Sequence, residues 1–427
     1  MSELIQIEEI AQVKQGRYTP PSELSTTPTE QAKVPVWGAN GILGYTQTAT
    51  YEEAQPLVTC RGNGCGLIQW SGGKAHISNN AMAILLKEES RDSSKYLYYS
   101  LLQSDFSDVT TGSAQPQITM GHLNKKEIFW HSDPNERAQI AHILGTLDDK
   151  IELNRKTSET LEEMAKALFK SWFVDFDLVR AKAEGRPTGL PDEISDLFPD
   201  SFEDSELGEI PSGWEVAELG EVLDVDKGVS YKGDFLSDFE GLPMVNLGCF
   251  AGGGSFRQEK MKFYAGEHRE RHVAQAGDLL IANTDMTQNR IILGAPIIIP
   301  PWKGNQKFLF SHHTFAVRFK QKIDALKWYV YFTLLKPSFR QVAAGRATGT
   351  TVLALPKDGI TDYQAVIPPS HLLNEFAKRA EELFLKCQKA DEQNDLLSRL
   401  RDALLPKLIS GEIRIPDAER MLEEVGV

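Results

Sequence analysis

Polar side chains that can hydrogen-bond to base edges recur on glycine-rich loops in both halves of the sequence. Arginine, lysine, asparagine and glutamine read base edges in the DNA major groove, and glycines allow the tight turns that bring a backbone close to a ligand. We therefore interpret these loops as candidate DNA-reading elements. The candidate residues in the first half are Arg17, Tyr18, Arg61, Asn63, Lys74, Gln115 and Gln117. Those in the second half are Tyr231, Lys232, Asn283, Gln288, Asn289, Arg290, His312, Arg346 and Thr350.

The motifs of several enzyme classes are absent from the sequence, and we predict no catalytic residue and no metal site. It lacks the Asn/Asp-Pro-Pro-aromatic motif of amino-methyltransferases, a glycine-rich AdoMet loop after a strand, and a GxxxxGK[ST] phosphate loop. The run DVDK from Asp224 is similar to a fragment of a nuclease metal site, but it has no upstream acidic partner at a suitable spacing. Cys60 and Cys65 form at most half of a zinc site, because no second Cys or His pair lies near them.

The two halves of the chain are similar in sequence. An offset of 233 residues aligns KYLYYSLLQSDF, from Lys95, with WYVYFTLLKPSF, from Trp328, and it also aligns Gly112 with Gly345. A repeat of more than 200 residues is too long for a solenoid unit, so it predicts two homologous halves related by a pseudo-twofold axis. The loops recur in both halves while their side chains differ, as expected if each half reads a different sequence.

Each half is predicted to consist of a mixed α/β globular part followed by a long helix. Short β-type runs alternate with Gly and Asn turns in the globular parts, and Lys95 to Phe106 is predicted to form one buried helix. Asp133 followed by Pro134 is typical of a helix N-terminus. Apolar residues then recur in steps of four and three, which predicts two heptad helices that pack antiparallel in a coiled coil. The seam residues singled out are Ile140, Leu147, Ile151, Leu161, Leu168, Trp172, Phe376, Leu383, Leu397 and Leu404.

These patterns divide the chain into segments. We assign residues 1–131 and 214–368 to the globular parts, 132–174 and 369–413 to the helices, 175–213 to an acidic connector, and 414–427 to a tail. The connector is too long for a tight loop, and its apolar residues predict that it docks on the rest of the chain.

Charge is distributed unevenly along the chain, whose formal net charge is −14. Residues 132–220 carry 9 basic and 21 acidic residues, whereas residues 221–367 carry 18 basic and 14 acidic residues. A protein that neutralises many phosphates unaided is normally more basic, so we expect DNA binding within a complex that supplies further positive charge. Four cysteines and no apolar run near 18 residues favour a cytoplasmic protein without a disulfide framework.

The chain closely resembles the specificity subunits of type I restriction-modification systems over essentially its whole length. The stretches that carry the resemblance are VPVWGANG at 34–41, GSAQPQI at 112–118, LEEMAKALFKSWF at 161–173 with Asp175-Phe176, LGEIPSGWE at 207–215 and LLPKLISGEI at 404–413. In the second half, the family-like GSAQPQ stretch is replaced by GRATGT from Gly345.

The resemblance implies a division of labour. Two target recognition domains each read one half of a bipartite DNA target, and the coiled coil sets the spacer between the halves. Two modification subunits dock on the helices and bring AdoMet for adenine methylation. Two restriction subunits are expected to join them with ATP and Mg²⁺, and this chain itself binds no cofactor and catalyses nothing.

Two alternatives belong to other classes of protein. One is a self-sufficient DNA methyltransferase or nuclease with fused recognition domains, against which the missing motifs argue. The other is a coiled-coil scaffold with no role in DNA binding. Labelled AdoMet supplied to the chain alone, and gel shifts with its modification partner, distinguish these from a recognition subunit.

Overall fold

The computed structural model of the chain describes residues 2–87, 91–112, 114–287, 290–302, 304–321, 325–424 and 426. The chain forms two compact units. The first unit contains Met1–Lys156 and Ala390–Val427, and the second contains Thr157–Lys389. Both unit boundaries fall inside long helices, so that each unit includes a part of each helix.

The first unit contains small, mainly antiparallel sheets and short helices. Its strands are β1 (Ser2–Gln6), β2 (Ala11–Gln15), β3 (Val34–Gly38), β4 (Gly41–Thr46), β5 (Pro56–Thr59), β6 (Ile68–Trp70), β7 (His76–Ile77), β8 (Ala81–Leu86), β9 (Thr110–Thr111), β10 (Gln117–Ile118) and β11 (Glu127–His131). Its short helices are α1 (Ile7–Ile10), α2 (Arg91–Leu102) and α3 (Met120–Asn124). The main sheet has the order β2-β8-β5-β6, and β4-β3-β7 form a second sheet.

Helix α2 covers the main sheet and ends earlier than the sequence predicts. Its side chains Tyr96, Leu97 and Tyr99 are buried in the same core as Val58 and Met82 of the sheet. The predicted helix from 95 to 106 was wrong at both ends, since α2 spans Arg91–Leu102. After its last turn, the Asp105 carboxylate accepts a hydrogen bond from the Ser107 backbone N–H at 2.9 Å and starts a separate 3-10 turn.

The long helix α4 (Pro134–Phe173) follows β11. The Asp133 carboxylate accepts a hydrogen bond from the Asn135 backbone N–H at 2.9 Å, which satisfies one of the free donors at the helix start. The helix therefore begins where the Asp-Pro pair predicts.

The second unit repeats this architecture in a larger form. Its strands are β12 (Phe202–Ser205), β13 (Gly208–Pro211), β14 (Glu215–Glu218), β15 (Leu223–Lys227), β16 (Leu236–Ser237), β17 (Leu242–Val245), β18 (Lys262–Tyr264), β19 (Val273–Gln275), β20 (Leu279–Ala282), β21 (Thr284–Asp285), β22 (Pro296–Ile298), β23 (Lys307–Phe310), β24 (Thr314–Phe319), β25 (Leu353–Ala354) and β26 (Gln364–Ile367). Its helices are α5 (Asp177–Ala183), α6 (Asp192–Ser195), α7 (Leu219–Val222), α8 (Leu326–Leu335), α9 (Pro337–Arg346) and α10 (Asp358–Thr361). The sheet β15-β24-β20-β22 corresponds to β2-β8-β5-β6 of the first unit.

The second long helix is α11 (Ser370–Ser410), which is followed by α12 (Ile415–Glu424). In the first unit, α4 and α11 pack through Ile140, Leu144, Leu147, Leu397 and Leu404, all of which are buried in one core. The Asn154 side-chain amide donates to Gln393 Oε1 at 2.8 Å and to Asn394 Oδ1 at 2.9 Å. Arg401 donates to Asp148 at 2.9 Å. Because residue 148 faces residue 401 and residue 154 faces residue 394, the two helices run antiparallel.

The same antiparallel pairing holds within the second unit. The rings of Trp172 and Phe173 on α4 lie 6.2 and 5.0 Å from the ring of Phe376 on α11. Cys387 Sγ donates to the Ser158 carbonyl at 3.6 Å. The predicted mixed α/β fold with two long antiparallel helices is therefore confirmed.

The connector contributes to the core of the second unit. The Phe198 ring packs edge-on against Trp172 at 5.0 Å, and Phe176 packs against Trp214 at 5.7 Å. Strands β12 and β13 form an antiparallel hairpin before the second globular part. In the described part of the chain, no helix is both long and apolar enough to cross a membrane.

Candidate nucleic-acid interface

Four strand ends meet at one edge of the main sheet in the first unit. Because the sheet is antiparallel in the order β2-β8-β5-β6, the ends of β2 and β5 lie beside the starts of β8 and β6. The Arg17 backbone N–H donates to the Ile77 carbonyl at 2.9 Å, and the Cys60 N–H donates to the Asn80 carbonyl at 2.9 Å. The Ile118 N–H donates to the Cys60 carbonyl at 3.0 Å. We call this set of loops, described over residues 16–18, 60–67, 78–80, 112 and 114–118, the first edge.

The first edge gathers most of the candidate residues of the first half. Arg61 and Gln117 form an antiparallel backbone bridge, and the Gly62 N–H donates to the Pro116 carbonyl at 3.0 Å. The gathered residues, all with exposed side chains, are Arg17, Tyr18, Arg61, Asn63, Gln115 and Gln117. Lys74 lies in the turn before β7, where it pairs with the Glu52 carboxylate.

The second unit builds an equivalent edge from the same backbone hydrogen bonds. The Val229 N–H donates to the Phe310 carbonyl at 2.8 Å, the Asn283 N–H to the His313 carbonyl at 3.0 Å, and the Leu355 N–H to the Asn283 carbonyl at 2.7 Å. These bonds match, one by one, those of Arg17, Cys60 and Ile118. We call the described residues 228–232, 283–287, 290–295, 311–313 and 348–355 the second edge.

Two glycines show how closely the edges correspond. A Cβ atom on Gly16 would lie 2.0 Å from the Ser78 carbonyl oxygen, and one on Gly228 would lie 2.2 Å from the Phe310 carbonyl oxygen. Neither distance is possible for a real side chain. Both positions therefore require glycine because two backbone segments cross there.

The structure corrects the sequence alignment of the last loop. Gly345 lies inside α9, whereas Gly349 has the positive φ (101°) that matches Gly112 (88°). Thr348 bridges to Ala354 just as Thr111 pairs with Gln117, six residues apart in both cases. The counterpart of the GSAQPQ loop is therefore the TGTTVLA stretch at 348–354. The alignment of that loop with GRATGT, from Gly345, was wrong. The constant offset failed because insertions in the second unit change it from 233 to 237 residues between β24 and this loop.

The side chains at the second edge differ from those at the first. The rings of His312 and His313 lie 3.9 Å apart, and Tyr231 lies 5.8 Å from His312. Burial lowers the pKa of both imidazoles, and the positive charge of Lys227 lowers it further. Neutral imidazoles offer one donor and one acceptor each, which suits hydrogen bonding to base edges.

Asn283 lies inside the second edge rather than on its surface. Its side chain is 4% exposed. The amide donates to the His312 carbonyl at 3.1 Å, and the amide oxygen accepts from the Thr284 hydroxyl at 2.7 Å. Asn283 therefore holds the loops together in this conformation, and its side chain is not presented to solvent.

The remaining candidates of the second half are distributed as follows. Lys232 and Thr350 are exposed on the second edge. Arg290 is also exposed, and its guanidinium donates a hydrogen bond to the Ala344 carbonyl at 3.0 Å. Arg346 ends α9 and pairs with Asp362 at 2.8 Å. Gln288 and Asn289 lie outside the described residues.

The seam residues of the helices are covered by their own chain. Ile140, Leu147, Trp172, Phe376, Leu397 and Leu404 are buried, and Ile151, Leu161, Leu168 and Leu383 are half-buried. Any docking of partner subunits on α4 and α11 would therefore involve mainly the exposed faces of the helices. The role of these helices in docking stays a prediction.

Two residues that hold the second edge together were not among the candidates found in the sequence. Asp285 is fully buried, and Arg340 donates to backbone carbonyls of the 283–295 loop. No local pattern links the two residues, because they are far apart in the sequence and meet only through the fold. Among the described residues, no group of three or more His, Cys, Asp or Glu side chains is arranged to hold a metal ion.

Comparisons with known proteins identify relatives along most of the chain. The family described as "Type I restriction modification DNA specificity domain" matches residues 2–163. The MjaIX specificity subunit of Methanocaldococcus jannaschii is 28% identical over 340 residues, which cover 76% of this chain and 70% of the relative. The HindI specificity subunit of Haemophilus influenzae is 27% identical over 335 residues, which cover 70% of this chain and 71% of the relative.

A solved structure shows the same fold over almost the whole chain. The S subunit of a type I restriction-modification system from M. genitalium superposes with a TM-score of 0.58 at 15% identity, covering 96% of both chains. The recurring sheet edges, the two antiparallel helices and the sequence relatives agree with the resemblance found in the sequence. The chain is thus similar to type I restriction enzyme specificity subunits along most of its length, and its residues 2–163 match the type I restriction modification DNA specificity domain.

Proposed function

We propose that each edge of this chain reads one half of a bipartite DNA target. The observation that carries the proposal is the recurrence of one backbone scaffold with different side chains. Arg17, Cys60 and Ile118 donate the same hydrogen bonds as Val229, Asn283 and Leu355. A scaffold held by backbone groups keeps its shape when its side chains change, as two different half-sites require.

The side chains on the edges suit direct readout in the major groove. Arg61 and Gln117 sit together at the first edge, where a guanidinium is suited to guanine and an amide to adenine. At the second edge, the adjacent imidazoles of His312 and His313, whose rings are tilted by 39°, supply neutral donors and acceptors. Exposed Arg and Lys side chains nearby would contact phosphates and fix the register of the protein on DNA.

The two long helices are proposed to set the spacer between the half-sites and to dock two modification subunits. The net charge of −14 supports a role within a complex, because phosphate contacts alone favour a basic protein. The modification subunits would bind AdoMet and flip the target adenine out of the duplex. Two restriction subunits would add ATP and Mg²⁺, and this chain would hold no cofactor and catalyse no reaction.

Methyl transfer tests the proposal. The purified chain, its modification subunit and the two together are incubated with DNA and tritiated AdoMet, and the methylated adenines are mapped by single-molecule sequencing. We expect incorporation only when both subunits are present, in a motif of two defined half-sites around an undefined spacer. Incorporation by this chain alone would favour a self-sufficient methyltransferase. A single undivided motif would reject the half-site assignment.

A further inference from the structure

The loop between β20 and β22 projects exposed apolar and basic side chains from the second edge. It is described over residues 283–287 and 290–295. Met286 is 59% exposed and Ile291 is 53% exposed, although both are large apolar residues. Apolar side chains of this kind contact the methyl group of thymine in the major groove. Such side chains discriminate between bases only if the loop holds them in one place.

A fully buried carboxylate organises the base of this loop. Asp285 is 0% exposed. One of its oxygens accepts from the Thr287 backbone N–H at 2.6 Å and from the Thr287 hydroxyl at 2.7 Å. The other accepts from the Ile292 N–H at 2.9 Å. One side chain, that of Asp285, thus connects the first part of the loop at Thr287 with its second part at Ile292.

Arg340, on α9, binds the second part of the same loop. Its guanidinium extends from α9 and donates to three backbone carbonyls of the loop, at 3.2 Å to Arg290, at 2.6 Å to Ile291, and to Leu293. The planar, multiply donating guanidinium can bridge several acceptors, which an ammonium group on a flexible stem does less well. Burial lowers the pKa of Arg340, and the negative charge of Asp285 opposes this effect.

The first edge builds its counterpart loop in another way. Residues 60–67 occupy the place of residues 283–295, since the Gly66 and Gly294 N–H groups donate to the Thr59 and Ala282 carbonyls at 2.9 and 2.7 Å. That shorter loop turns through Gly62 and Gly66, both with positive φ. The longer loop keeps a positive-φ glycine at Gly294, the counterpart of Gly66, but its additional residues are held by side chains. Asp285 and Arg340 therefore serve the second edge specifically.

We propose that Asp285 and Arg340 are positioning residues that determine base discrimination at the second half-site. They contact no DNA themselves and act by fixing the loop that carries Met286, Arg290 and Ile291. This inference rests on the proposed function, namely that the second edge reads one half of the target.

The test uses the full chain with its modification subunit, expressed in cells whose DNA lacks the methylation pattern. Methylated adenines are mapped by single-molecule sequencing for the wild type and for Asp285→Asn, Arg340→Gln and Arg340→Lys. Asp285→Asn and Arg340→Gln are each expected to raise methylation at sites with one mismatch in the second half-site about tenfold relative to intact sites. Discrimination at the first half-site is expected to stay unchanged, with the Lys variant less affected than the Gln variant.

Arg318→Gln is the matched control. Arg318 belongs to the same unit, pairs with Asp226 at 3.2 Å and donates to the Val273 carbonyl at 3.0 Å, away from the loop. The inference is overturned if the folded loop variants keep full discrimination, if they relax both half-sites, or if Arg318→Gln relaxes the second half-site equally. A wild-type complex that methylates no bipartite motif would instead reject the proposed function itself. If Asp285→Asn does not fold, the two Arg340 variants decide.

Discussion

At the residue scale, backbone hydrogen bonds shape both edges, whereas the side chains are the groups proposed to read DNA. The backbone carbonyls of Asn80 and His313 accept equivalent hydrogen bonds from Cys60 and Asn283, at 2.9 and 3.0 Å. Backbone bonds do not depend on the side chain of the residue that makes them. Residue 80 and residue 313 can therefore differ in chemistry without any change in the scaffold.

The histidine pair makes the stability of the second unit depend on pH. Because burial lowers the pKa of His312 and His313, the unfolded chain binds protons more readily than the folded chain near the ordinary histidine pKa of about 6.5. Stability is thus fully present above that pH and decreases as pH falls through it. We expect the double variant His312→Asn, His313→Asn, which copies Asn79 and Asn80, to lose less thermal stability between pH 7.5 and 5.5 than the wild type.

Thermal unfolding of the purified chain at the two pH values measures this difference. His272, whose pKa is also lowered by burial, is present in both proteins and cancels in the comparison. A His142→Asn variant, at an exposed position on α4 in the first unit, serves as a control for a histidine outside the pair. Equal pH dependence of the double variant and the wild type would contradict the prediction.

Residue type alone did not reveal which candidates face solvent. Asn283 and Asn63 are the same amino acid on corresponding loops, yet Asn283 is 4% exposed and Asn63 is exposed. Asn283 is drawn inward by the His312 carbonyl, which belongs to a loop 29 residues away. Long-range contacts of this kind leave no local pattern in a sequence.

At the element scale, the long helices were predictable and the loop correspondence was not. The heptads and the Asp133 cap are local signals, and α4 begins at Pro134 as expected. The corresponding loops of the two edges differ in length: residues 60–67 of the first edge match the longer stretch 283–295 of the second. Each insertion changes the offset between the halves, so a constant offset paired Gly112 with the wrong glycine.

The polar layer between α4 and α11 is a further element whose energetics can be tested. Asn154 donates to both Gln393 and Asn394, next to the apolar seam residues Ile151 and Leu397. Replacing one partner leaves the other facing an apolar side chain, whereas replacing both restores an apolar layer. We expect Asn154→Leu and Asn394→Leu to be non-additive, with a favourable coupling of about 1 kcal/mol in the double variant.

Denaturant unfolding of the wild type, both single variants and the double variant gives this coupling directly. Lys389→Leu, on the exposed side of α11, controls for the addition of a leucine outside the layer. Additive effects of the two substitutions would mean that the three amides do not form one energetic unit.

At the scale of the whole molecule, the first unit is built from two separate pieces of chain, whereas the second is one continuous segment. The core of the first unit includes Leu144 from α4 and Leu404 from α11, and the core of the second unit includes Phe169 and Phe376 from the same two helices. The Ser2 hydroxyl also donates to the Ser410 carbonyl at 2.6 Å. A recognition domain can therefore be exchanged only if its contacts with α11 are kept.

Exchange of a recognition domain tests the division of the target between the units. Residues 1–131 are replaced by the corresponding segment of a related specificity subunit, with the contacts of Ser2 to Ser410 and of His131 Nε2 to the Leu408 carbonyl (3.2 Å) retained. We expect the methylated motif to change in one half-site only, with the spacer and the other half-site unchanged, because all loops of the first edge lie within the exchanged segment. The reciprocal exchange of residues 214–368 is the matched control and should change only the other half-site. Changes in both half-sites after either exchange would show that the units do not read DNA independently.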